Sequence, residues 1–154
     1  DMYLSKKTYV KQWDHQSPEE KYEVVVTKGG KPVDGIKAKR VKYIEEEVGY
    51  WRKANQIHRW FVENVQRGND DCGSYYVSRD RLQDLLKLCK EVKADFNQTG
   101  GIKAHELLPT TSGFFFGNTD YNEWYFEDID NTIRIIEECL EDEYADDFEY
   151  SSSW

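Results

Sequence analysis

Apolar residues recur at helical spacing in three stretches of this 154-residue chain and at strand-like spacing in several shorter ones. The clearest helical stripe is Tyr50, Ala54, Ile57, Phe61 and Val65, extended by Trp51 and Val62. It predicts a helix over 50–66, closed by Gly68. A second helix is predicted from Ser78, a good N-cap, to about Ala94, with Leu82, Leu85, Leu86 and Cys89 facing inward. A third starts at Thr119 or Asp120, with Glu123 at capping-box spacing. It would bury Tyr125, Ile129, Ile133, Ile136 and Leu140 and fray beyond Asp142.

Between these helices the pattern favours strands. Asp1–Trp13 reads as a short strand, and 38–44 as another ending near Ile44. Tyr22–Thr27, Lys28-Gly29-Gly30-Lys31 and then Pro32 and Val33 read as a hairpin. Tyr75–Val77 is a short β-like link, and Phe114–Phe116, bounded by Gly113 and Gly117, reads as a buried aromatic strand. The expectation is one α+β domain over 1–142: a small N-terminal sheet or hairpin, three principal helices and that aromatic strand. Residues 143–154 would form an acidic, frayed tail.

Charge sharpens the picture of that tail. The net charge is −9, but thirteen acids and one base between Asp120 and Glu149 give this stretch −12 and leave +3 on the rest. Acids interleaved with Tyr144, Phe148, Tyr150 and Trp154 could imitate nucleic acid on a basic partner or simply keep a loose end in solution. Lys37, Lys39, Arg40, Lys42, Arg52, Lys53 and Arg59 form a basic-aromatic surface, but Glu45–Glu47 interrupt it, so direct nucleic-acid binding is not expected.

No apolar run approaches the roughly 20 residues that span a bilayer, and no basic-then-apolar segment opens the chain. A cytoplasmic protein is therefore expected. Cys72, Cys89 and Cys139 have no CxxC spacing, and His15, His58 and His105 have no HExxH spacing. No metal site and no cofactor are expected.

Two constellations could carry chemistry. In the first, His58 lies within the apolar arc of its helix and Asn55 at its edge, among Trp51, Phe61 and Val62. Buried polar groups need partners, so His58 is either a satisfied core residue or the wall of a site with Arg52 near its mouth. In the second, Gly117-Asn118-Thr119-Asp120-Tyr121 leads into a helix N-terminus, whose free N–H groups Asp120 can satisfy itself. A ligand pocket between the two would be built from Trp51, Arg52, Asn55, His58, Thr119, Asp120 and Tyr121. If it were catalytic, His58 would be the acid or base and Asp120 would orient it. A Cys72–His58 nucleophile pair would need a chain reversal. Trp60 lies off the main stripe and, with Tyr144 and Phe148, is a candidate partner-binding residue.

Trp51-Arg52-Lys53-Ala54-Asn55-Gln56-Ile57-His58, followed by Trp60-Phe61-Val62, resembles a family of small uncharacterised proteins encoded by bacteria and their phages. Leu108-Pro109, Ser112–Gly117, Thr119-Asp120-Tyr121 and Asp71-Cys72 fit the same family. The likeness runs from Tyr50 to about Leu140. It implies a phage or bacterial setting and brings no activity and no catalytic residue. The expected function is that of a non-enzymatic binding protein, a modulator or anti-defence factor acting on a host system, which binds a host protein or sequesters a small ligand. An enzyme centred on His58 and an acidic nucleic-acid mimic are the alternatives.

Overall fold

A computed structural model describes residues 1–113 and 117–154; the expected Phe114–Phe116 strand lies outside the described residues. The chain opens with β1 (Met2–Tyr9), which pairs antiparallel with β4 (Tyr43–Trp51). Between them, β2 (Thr27–Lys28) and β3 (Lys31–Pro32) form the expected hairpin. Gly29 and Gly30 at its turn have φ of 60° and 80°, which suits the mirror-image turn that matches strand twist. Then follow α1 (Asn55–Asn64), β5 (Tyr75–Val77), α2 (Arg79–Thr99), the single turn α3 (Ala104–Leu107), α4 (Glu123–Glu141) and β6 (Asp147–Ser152). The main sheet has four antiparallel strands in the order β4-β1-β6-β5. The architecture is α+β, with α1, α2 and α4 as its principal helices.

Every buried strand position lies on one face of this sheet: Met2, Leu4, Gly49, Trp51, Val77, Phe148, Tyr150 and Ser152. That face meets the helices. Gly49 marks the closest approach, because a Cβ there would sit 2.7 Å from Ile135 Cγ2 of α4. The aromatic centre of the core is Phe61 of α1, stacked on Tyr150 at 3.8 Å and edge-on to Trp51 at 6.0 Å.

Three expectations change here. Tyr50 and Trp51 belong to β4 rather than to the helix, so the strand is longer and α1 shorter than the periodicity implies. Tyr50 and Ala54 fall on one helical stripe by spacing alone, and pairing with β1 along the whole strand overrides that signal. On α4 the buried stripe is Tyr125, Ile129, Thr132, Ile135, Ile136 and Cys139, with Ile133 and Leu140 half-buried. The third change is the tail.

Residues 147–152 do not fray; they form β6, the strand between β1 and β5. Asp147-Phe148-Glu149-Tyr150-Ser151-Ser152 alternates strictly, with Phe148, Tyr150 and Ser152 inward. Its acids are answered by β1. Glu149 pairs with Lys7 at 2.8 Å, Asp146 accepts from the Tyr9 N–H at 2.7 Å, and Asp147 accepts from the Tyr9 hydroxyl at 2.7 Å. Lys6 bonds Asp142 just past the end of α4. Arg79 gathers the Cys139, Asp142 and Ala145 carbonyls and lies over the Phe148 ring. A guanidinium satisfying helix C-terminal carbonyls is favourable both as a hydrogen-bond donor and as a cation.

Candidate functional site

The site begins where β4 ends. Trp51 is 1% exposed and its indole N–H donates to Thr132 Oγ1 of α4 at 2.8 Å, which fixes the strand end against that helix. The chain then reverses through Arg52 and Lys53. Lys53 takes φ 56°, a left-handed conformation unusual outside glycine. Helix α1 follows with Ala54 at its N-cap and no side-chain cap.

The loop before α4 packs against this reversal. Gly117 lies so close to Lys53 that a Cβ would meet the Lys53 Cβ at 3.3 Å. Asn55, 2% exposed, staples the loop: its Nδ2 donates to the Asn118 carbonyl at 3.1 Å, and its Oδ1 accepts from Thr111 N–H at 3.0 Å. Gln56, equally buried, donates to the Tyr125 carbonyl at 3.3 Å and to the Asp128 carboxyl. The true N-cap of α4 is Asn122, whose Oδ1 accepts from Tyr125 N–H at 3.2 Å. Neither Thr119 nor Asp120 caps the helix.

Between these elements lies a cleft of about 430 Å³. It is lined by Arg52 and Lys53 on one side, Asn118 and Asp120 on the loop, and Asn122, Trp124 and Asp128 on α4. The N-terminal turns of α1 and α4 both reach it. Trp124 is 65% exposed. Among the described residues, the side chains of Arg52 and Lys53 make no hydrogen bond and no ion pair. Asp128 is half-buried, and its carboxyl is pushed up to about 6; burial is the main cause, the Gln56 hydrogen bond opposes it, and Glu127 adds to it.

That shift has a testable sign. The native state holds the Asp128 proton between its ordinary value of 3.8 and about 6, where the unfolded chain has released it. Stability from this group is full below the lower value and lost as pH rises through the upper one. Asp128→Asn is therefore expected to gain about 1–2 kcal/mol near neutral pH, allowing for solvent screening, and close to nothing at about pH 3.5. Urea titrations at both pH values check this.

The sequence-predicted site residues divide. Arg52, Asn55 and Asp120 line the cleft, though the Asn55 amide is committed to the loop. Trp51 is core. Thr119 and Tyr121 serve the loop's own bonding: Thr110 Oγ1 donates to the Thr119 carbonyl at 2.8 Å, and Thr110 N–H donates to the Tyr121 hydroxyl at 3.1 Å. His58 is 1% exposed and belongs to a buried chain. Its Nε2 faces Asp70 Oδ1 at 2.9 Å and its Nδ1 faces the Tyr150 hydroxyl at 2.6 Å, with Asp120 at neither nitrogen. Burial, with Asp70 and then Cys72 adding negative charge, holds the Tyr150 hydroxyl well above its ordinary range. The hydroxyl stays protonated, and both ring nitrogens of His58 lie within hydrogen-bond distance of a protein oxygen. The candidate acid or base thus ties α1 to β6 and to the loop after α1.

Two of the three candidate partner residues are also interior: Trp60 is 7% and Phe148 2% exposed, whereas Tyr144 is 74% exposed. Trp60 packs edge-on to Phe61 at 5.2 Å. Of the cysteines, Cys89 and Cys139 are buried, their thiols pushed up by burial to about 12 and about 11, and Cys72 is exposed. Among the described residues no cluster of three or more His, Cys, Asp or Glu could hold a metal ion, and no helix is long and apolar enough to cross a membrane.

Sequence reasoning missed Gln56, Asn122, Trp124 and Asp128. Asp128 offers a retrospective signal: it lies three residues from Tyr125 and next to Ile129, an acid at the margin of a buried stripe. Compared with known protein families, with curated proteins and with solved structures, the chain has no match.

Proposed function

We propose that this protein is a binding protein for a small polar ligand that carries an anionic group, held in the cleft between α1 and α4. The observation that carries the reading is the cleft itself, where Arg52 and Lys53, which make no hydrogen bond or ion pair among the described residues, share the lining with the half-buried carboxyl of Asp128. An anionic group suits the cationic side. Asp128 and Asp120 suit hydroxyl or amine donors on the same molecule, and the exposed Trp124 ring suits a flat or apolar part. The buried His58 chain supports binding over catalysis, because it leaves the cleft without the acid–base residue that the sequence suggested. In a bacterial or phage setting such a protein would sequester its ligand and so modulate a host system.

Native and denaturing mass spectrometry of protein purified from a bacterial host tests occupancy directly. A nucleoside monophosphate and a sugar phosphate then serve as probes in amide NMR titrations. Shifts are expected at Lys53, Gln56, Asn122 and the Trp124 indole. Arg52→Ala is expected to weaken the bound probe by about 10–100-fold, the worth of one charge-assisted hydrogen bond. Shifts confined to other surfaces, or unchanged affinity in Arg52→Ala, would sink the reading.

A further inference from the structure

Among the described residues no helix or strand covers the face of the sheet away from the helices. Strand register places five tyrosines on it: Tyr3 opposite Tyr50, Tyr9 opposite Tyr43, and Tyr76 opposite Glu149. Four of them, Tyr9, Tyr43, Tyr50 and Tyr76, are 42–64% exposed. Glu45, Glu47, Asp147 and Glu149 stand among them, and the base there is Lys7, already paired with Glu149. Tyrosine-rich surface of this kind is characteristic of interfaces rather than of solvated sheet.

The second observation is the excursion between β1 and β4. No residue from Lys11 to Glu47 is buried. Val25 is 82% exposed, Trp13 51%, Ile36 48% and Tyr22 43%. A segment this long without a core of its own is usually a binding element. Residues 24–42 hold six bases and one acid, a charge of +5 that leaves −14 on the remainder. Among the described residues none of those six bases makes an ion pair. The base of the arm is clamped by Val10 and Lys11 N–H groups, which both donate to the Lys42 carbonyl, at 2.9 and 3.2 Å.

We infer that the 24–42 arm docks on the tyrosine and carboxylate face of a second copy of this chain. The arm leaves the sheet at its Tyr9–Tyr43 end. The neighbouring copy offers a face of opposite charge, with tyrosine rings for Val25 and Ile36. A two-fold arrangement lets each copy give one arm and receive one, which closes the assembly as a dimer. A nucleic acid laid on the arm would instead meet the repulsion of a strongly acidic body.

The test is sedimentation equilibrium of the full chain at about 100 µM, where a micromolar interface is filled. Salt at roughly 50 and 500 mM sets weak and strong screening. A dimer at low salt that dissociates at high salt is expected. Glu45→Lys with Glu47→Lys, and separately Lys39→Glu with Arg40→Glu, should each weaken it by about tenfold or more. All four positions are exposed, so both variants should keep the wild-type circular dichroism. Mixed together, the two variants should form a heterodimer, because each reversed arm then meets a reversed face. A monomeric wild type at low salt, or a dimer indifferent to both charge reversals, overturns the inference. So does a monomer whose arm binds an oligonucleotide.

Discussion

A chain ending at Leu140 is expected not to fold. Its near-ultraviolet circular dichroism should vanish, and thermal scans should show no cooperative transition. The truncation removes β6, the strand that joins β1 to β5, and with it both ladders. It also removes Phe148 and Tyr150, which are 2% and 0% exposed, and the ring that Phe61 stacks on at 3.8 Å. Losing one fully buried aromatic side chain costs about 3–5 kcal/mol, so two of them, with the pairing of a central strand lost as well, amount to a loss on the order of the roughly 5–15 kcal/mol that holds a typical domain. The truncation also removes the Tyr150 hydroxyl that lies 2.6 Å from His58 Nδ1. A truncated chain that still melts cooperatively near the parent temperature would refute this account. For the same reason, loss of a biological effect on truncation is no test of nucleic-acid mimicry, because the tail is structural.

Trp51→Ala is expected to cost about 3–5 kcal/mol, read as a lower urea midpoint at an unchanged slope. The indole fills the junction of β4, α1 and α4, edge-on to Phe61 and Tyr150. Its N–H is also satisfied by Thr132, whose hydroxyl passes on a bond to the Asp128 carbonyl at 2.7 Å. Trp51→Phe keeps much of the volume but leaves Thr132 Oγ1 without that donor, so a smaller loss of about 1–3 kcal/mol is expected. If Trp51 were instead a ligand contact, as its sequence position beside Arg52 suggests, affinity would fall while the midpoint held. The cleft and the core are therefore separable by experiment: Arg52→Ala should change binding and not stability, and Trp51→Ala the reverse.

Much of the local structure was legible because its causes are local. Ser78 accepts from Arg81 N–H at the start of α2, and Gly100 closes the helix at φ 82°, which places its end five residues beyond the predicted end at Ala94. The Gly29-Gly30 turn is likewise a short-range pattern, as are Tyr125, Ile129 and Ile136 of the α4 stripe. The helix carrying His58 was legible in its centre but not at its start, where β1 draws Tyr50 and Trp51 into a strand.

Propensity, periodicity and composition within a few residues suffice for the α+β class, the main helices, the hairpin and the segregation of charge. Tertiary structure alone decided the rest. The acids of this end read as a solvated stretch until Lys6, Lys7 and Tyr9 of β1, more than 130 residues away, supply their partners. His58 is poised between core and site until Tyr150 and Asp70 occupy its two nitrogens. The cleft exists only because Gly117 can lie on Lys53 and Gln56 can reach Tyr125 and Asp128. Strand pairing, burial of a polar group and the walls of a cleft are all set by contacts between distant segments, and no window of the chain contains both partners.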